Sequence, residues 1–128
     1  MEQDEILQQL DRSYQKLLEA LEIPVSQPLA IDGTIRGFES TYAIACETIY
    51  AFYQECLKSG HSHRNCLQEA LQKGLIDDQN TWQCLITSKN HASFMFSDLL
   101  TRETYECVKK NHHAFHSLIA RFKDRTCH

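Results

Sequence analysis

Residues 31–58 read IDGTIRGFESTYAIACETIYAFYQECLK. Within them Ile35, Phe38, Tyr42, Ala45, Ile49 and Phe52 recur every three or four positions, the spacing of one face of an α-helix rather than the alternation of a strand. A face this apolar needs other helices to cover it, so this stretch decides that the protein is built by helix packing. Ser59-Gly60 follows, and glycine tolerates the left-handed backbone common just after a helix end.

The same period extends in both directions. A first helix is predicted from about Gln3 to Leu21, with Leu7, Leu10, Tyr14, Leu17 and Leu21 on one stripe. Glu22-Ile23-Pro24 ends it, because proline disfavours helical geometry in the residue before it. A shorter helix is expected from near Ser62 to Lys73-Gly74. Asp77 or Asp78 then caps a fourth, carrying Trp82, Leu85 and Ile86. The last helix is predicted from Ser97 or Asp98 to about Phe122, with Tyr105, Val108, His112, Phe115, Ile119 and Phe122 at three-four spacing. With only two prolines and four glycines, and no repeat or linker, the pattern predicts one all-α domain over 1–128. Its expected form is an up-and-down four-helix bundle with one additional short helix.

Composition narrows the function. The 42% hydrophobic and 23% charged content is that of a soluble globular chain, and no apolar run approaches the ~20 residues needed to cross a bilayer. Met1-Glu2-Gln3-Asp4-Glu5 is acidic and lacks the profile of a secretory signal, so a cytoplasmic protein is expected. Six cysteines scattered through helical patterns then read as free thiols. A net charge of −4 lacks the positive field of a general nucleic-acid binder.

Three blocks carry a family resemblance: Asp32-Gly33-Thr34-Ile35-Arg36-Gly37-Phe38-Glu39, then Glu69 through Asp78, then Trp82 through Asn90. Together they resemble the nucleotidyltransferase substrate-binding protein family of the HEPN superfamily, over nearly the whole chain. Arg102-Glu103 and Tyr105-Glu106 are similar to the start of that family's final helix. The resemblance implies a four-helix bundle that forms a homodimer. It also implies a separate minimal nucleotidyltransferase as partner, which supplies the metal-dependent transfer, and a nucleotide as a ligand. Some relatives are instead RNA-cutting toxins, controlled by a nucleotidyltransferase antitoxin that modifies a tyrosine.

The ribonuclease branch places an arginine, a histidine and a tyrosine where this chain has Lys89, Phe94 and Phe96. Lysine keeps a cation but loses the planar fork that grips phosphate at two points. Phe94 cannot move a proton, and Phe96 has no hydroxyl to modify. On a helix His91 points away from Lys89, since two residues turn by roughly 200°. In the second-helix block Gly37 stands where relatives carry arginine, with Arg36 one place earlier, and Ala43, Cys46 and Glu47 replace a glutamate, a tryptophan and a lysine.

The candidate substrate-binding or partner-facing residues are therefore Arg36, Glu39, Lys89, Asn90 and Ser93, with no catalytic residue, metal or cofactor expected. His61-Ser62-His63 with Cys66 offers zinc-type ligands, but a fourth is not evident and the segment reads as a helix start. His112 and His116 share a helical face, yet His112 also falls in the apolar stripe and reads as a partly buried core histidine. The leading expectation is a non-catalytic subunit that presents a substrate to a nucleotidyltransferase. Its rivals are a ribonuclease using Lys89, Asn90 and His91, and a purely structural interaction module.

Overall fold

The computed structural model describes residues 3–27, 29–53, 63–74, 76, 78–92 and 98–126. Among them are six helices and no strand: α1 (Gln3–Glu22), α2 (Ala30–Tyr53), α3 (His63–Gln72), α4 (Gln79–Ala92), α5 (Asp98–Asn111) and α6 (His113–Thr126). The predicted continuation of the second helix to Lys58, and its Ser59-Gly60 stop, lie outside the described residues.

α1 and α2 pack as an antiparallel pair. Gln3 Nε2 donates to the Ala51 carbonyl at 3.1 Å, Ser13 meets Thr41 at 2.8 Å, and Leu17 meets Gly37, so partners fall along α2 as they rise along α1. Thr41 Oγ1 donates to the Gly37 carbonyl at 2.8 Å. A hydroxyl has one proton, so Ser13 is the donor to Thr41. An ideal Cβ on Gly37 would lie 3.5 Å from Leu17 Cα, ordinary contact with no room beyond it.

Leu7, Leu10, Tyr14 and Leu17 of α1 and Phe38, Tyr42, Ala45 and Ile49 of α2 are buried in one cluster with residues of the later helices. Phe115 ties the helices together, its ring 6.3 Å from Tyr14, 6.3 Å from Phe38 and 5.5 Å edge-on from Trp82. Phe122 lies 4.3 Å from Phe52 and 5.6 Å from Tyr53, so α6 runs in the same direction as α2.

α3 ends as its sequence predicts, with Gly74 at φ 72° in the left-handed region. Asp78 takes the backbone position before α4: its carbonyl accepts from Trp82 N at 3.1 Å, while its carboxylate lies 3.8 Å from His113 Nε2.

The single last helix predicted from Ser97 or Asp98 to Phe122 is corrected to two, α5 and α6, separated by a turn at His112. Asn111 Nδ2 donates back to the Cys107 carbonyl at 2.8 Å, competing with the backbone ladder. Phe115 N then bonds the His112 carbonyl at 3.0 Å, only three residues back. The turn leaves Tyr105, Val108, Phe115, Ile119 and Phe122 all buried. His112 is half-buried and its Nδ1 lies 3.0 Å from Tyr14 Oη, which tethers the turn to α1.

Two outcomes follow. Gly37→Ala should be neutral or stabilising by up to about 1 kcal/mol, because alanine fits and favours helix. Gly37→Leu should cost about 1–3 kcal/mol by driving carbons into Leu17. Urea denaturation reads both, and equal stability for the two variants would contradict the close seam.

Burial, and then His113, hold the His112 imidazole below its ordinary value of 6.5. The folded state thus resists a proton that the unfolded chain accepts. Stability is complete above that ordinary value, falls as pH drops through it, and levels off below the depressed folded value. His112→Gln should flatten the loss seen between about pH 7.5 and 5.5, the range where histidine titrates. An unchanged pH slope would refute this role.

Candidate functional site

Beside the core face of α2 runs a second, more exposed stripe. Arg36, Glu39, Ala43, Glu47 and Tyr50 follow one another at helical spacing along it, with Arg36 and Glu47 exposed and the other three half-buried. Arg36 is 81% exposed, and its Nε pairs with Asp32 at 3.2 Å, four residues earlier on the helix. An exposed pair of this kind contributes little to stability, so the guanidinium is held in place at small cost to any later partner.

Lys89 occupies the last turn of α4, where the partial negative charge of a helix C-terminus favours an ammonium. It is half-buried. Its charge reaches across to Cys46 on α2, beside Glu47. Glu39 lies seven residues before Cys46 on α2, roughly 10 Å along the axis. Among the described residues no ion pair joins Glu39 to Lys89. Asn90 follows Lys89 within α4. Ser93 lies outside the described residues, as do Phe94 and Phe96.

α2 and α3 meet at a pair of buried thiols. Cys46 and Cys66 are each 1% exposed, and Cys66 Sγ donates to the Cys46 carbonyl at 3.4 Å. The hydrogen bond to Cys66 raises the Cys46 pKa well above the ordinary thiol range, and burial adds to it; Lys89 opposes the shift and Glu47 reinforces it. Cys46 is therefore a protonated, inert thiol. Burial, then the two cysteines, likewise push the Tyr42 phenol upward. Cys66 is buried in this core, and His61 and Ser62 of the zinc-type cluster considered for it lie outside the described residues. At the far edge, Lys73 Nζ pairs with Glu69 at 3.0 Å on α3.

The site therefore brings Arg36 and Glu39 onto one face of α2 and sets Lys89 at its α4 border. Glu47 was noted from sequence only as a replaced family position, and both it and Lys89 act electrostatically on Cys46. Cys46 and Cys66 gave no sequence signal of their pairing. Chemically the surface offers cations and carboxylates around half-buried Ala43 and Tyr50, an arrangement for recognition by complementary charge.

No helix among the described residues is long and apolar enough to cross a membrane. Among them no group of three or more His, Cys, Asp and Glu side chains is arranged to hold a metal ion. No curated protein matches the chain. The family described as nucleotidyltransferase substrate binding protein like matches residues 5–124, and the chain therefore belongs to that family.

Proposed function

We propose that this protein is a non-catalytic subunit that holds a substrate for a separate minimal nucleotidyltransferase, and that the α2 face from Arg36 to Tyr50, with Lys89 at its border, contacts the partner or its substrate. The family supports the substrate-binding role. The observation that carries the assignment of the surface is the position of Lys89, half-buried and electrostatically coupled to α2 at Cys46. Holding an ammonium there without a paired carboxylate among the described residues costs desolvation, which a negatively charged group arriving from outside would offset. A nucleotide phosphate or an acidic patch on the transferase meets that requirement. Asn90 and Ser93 complete the proposed contact set along the chain.

In this reading α1, α2, α4 and the α5–α6 rod are the four rods of an up-and-down bundle within one domain, and two copies associate as a homodimer. The opposed courses of α1 and α2, and the shared course of α2 and α6, support that arrangement. The HEPN resemblance agrees with it.

Co-purification of the protein from its source cells, with the recovered fraction assayed for a minimal nucleotidyltransferase, tests the pairing. Lys89→Glu should weaken that complex about tenfold or more, equivalent to about 1.4 kcal/mol, whereas Lys123→Glu, on α6 and paired 3.5 Å from Asp11, should not. Retention of full affinity by Lys89→Glu removes the proposed surface. RNA cleavage by the purified protein that Lys89→Ala abolishes would favour the ribonuclease reading instead.

A further inference from the structure

The four described cysteines form two pairs, and the second pair lies in a different setting from buried Cys46 and Cys66. Cys84 on α4 and Cys107 on α5 are both half-buried and both line a recess of about 430 Å³ between the two helices. Asn111 Nδ2 lies 3.5 Å from Cys84 Sγ and 3.6 Å from Cys107 Sγ, so a single amide gathers both sulfurs. The same amide is anchored by its 2.8 Å bond to the Cys107 carbonyl. Cys107 also lies near enough to Cys84 to raise its thiol pKa. Ser88 and Thr104, from the same two helices, line the recess alongside them.

We propose that Cys84 and Cys107 form an oxidisable dithiol, a modification site at which hydrogen peroxide produces an intrachain disulfide joining α4 to α5. Juxtaposition and access together carry this. The two sulfurs share one hydrogen-bond donor and border a recess wide enough to admit a small oxidant, whereas Cys46 and Cys66 are sealed at 1% exposure. Reaction at a cysteine follows access and thiolate character.

Burial, and then Cys107, push the Cys84 thiol up to about 11 against the pull of Lys110. Cys84 is therefore the partner that reacts second. The Cys107 sulfur attacks one peroxide oxygen; the O–O bond breaks, and the departing hydroxide leaves as water with the thiol proton. The resulting sulfenic acid is attacked by the Cys84 sulfur. The S–S bond forms, the S–O bond breaks, and the second hydroxide leaves as water with the Cys84 proton. Two thiols and one peroxide give one disulfide and two waters, with two electrons passing from sulfur to oxygen. The new bond ties α5 to the helix that carries Lys89, five residues before it.

Equimolar peroxide treatment of the full-length reduced protein, followed by alkylation and non-reducing tryptic mapping, tests the proposal. The expected product links peptide 74–89 to peptide 103–109, and a thiol reductant reverses it. Reduced thiols or sulfinic acids at Cys84 and Cys107, or predominant cross-links from them to Cys56 or Cys127, would overturn the proposal. Because Cys84→Ser or Cys107→Ser can disturb the helix contact, a second measurement uses the wild-type protein alone. Phenylarsine oxide, which bridges adjacent thiols, should protect these two cysteines from alkylation together. Protection of neither, or of only one, also counts against the dithiol.

Discussion

The close seam between α1 and α2 is the constraint from which the other packing follows. Gly37 brings the backbone of α2 against Leu17, and the chain of hydroxyls from Ser13 through Thr41 to the Gly37 carbonyl fixes the register of the two helices. Close approach and a satisfied polar contact act together here. A buried hydroxyl without a partner costs about 1–3 kcal/mol, so sliding the helices past one another is penalised at Thr41 as well as in lost packing. With the register fixed, Tyr14 and Phe38 stand side by side and present a shared surface to Phe115.

Phe115 converts that two-helix seam into a common core. It meets α1, α2 and, through Trp82, α4, while Phe122 extends the contact to the far end of α2. The turn at His112 permits this without surrendering the apolar stripe. Tyr14 therefore has two tasks: its ring packs on Phe115, and its hydroxyl holds the half-buried imidazole at the turn. The polar bond at the helix break and the apolar contact one turn later are two ends of a single anchor.

Much of this fold was legible in the spacing of apolar residues. Leu7 to Leu17 and Phe38 to Ile49 are buried on the faces their period predicts, because burial of one stripe is the largest demand that packing makes on a surface helix. The break at His112 was not legible, since the stripe from Tyr105 to Phe122 keeps its period across it and the cause lies in side-chain bonds of Asn111 and Tyr14. The site was legible in part. Arg36 and Glu39 share a face as residues three apart on one helix must, whereas the meeting of Lys89 with Cys46 depends on how α4 docks. Sequence spacing within a helix fixes direction, but contact between helices is set by the whole core.

The distribution of polar groups around α2 connects the fold to its proposed role. Thr34, Thr41 and Thr48 recur at seven-residue intervals on the inside, all fully buried, and Thr48 Oγ1 donates to the Ile44 carbonyl at 2.7 Å. Such bonds absorb the hydroxyls of Thr41 and Thr48 within the helix, while the buried Thr34 Oγ1 has no hydrogen-bond partner among the described residues. Away from the core, Arg36 and Glu47 are exposed and Glu39 is half-buried. One helix thus buries its threonines and carries its ionised side chains away from the core. Association through the inner face would have to dismantle the α1–α2 seam, whereas association through the outer face leaves every contact that holds the fold intact.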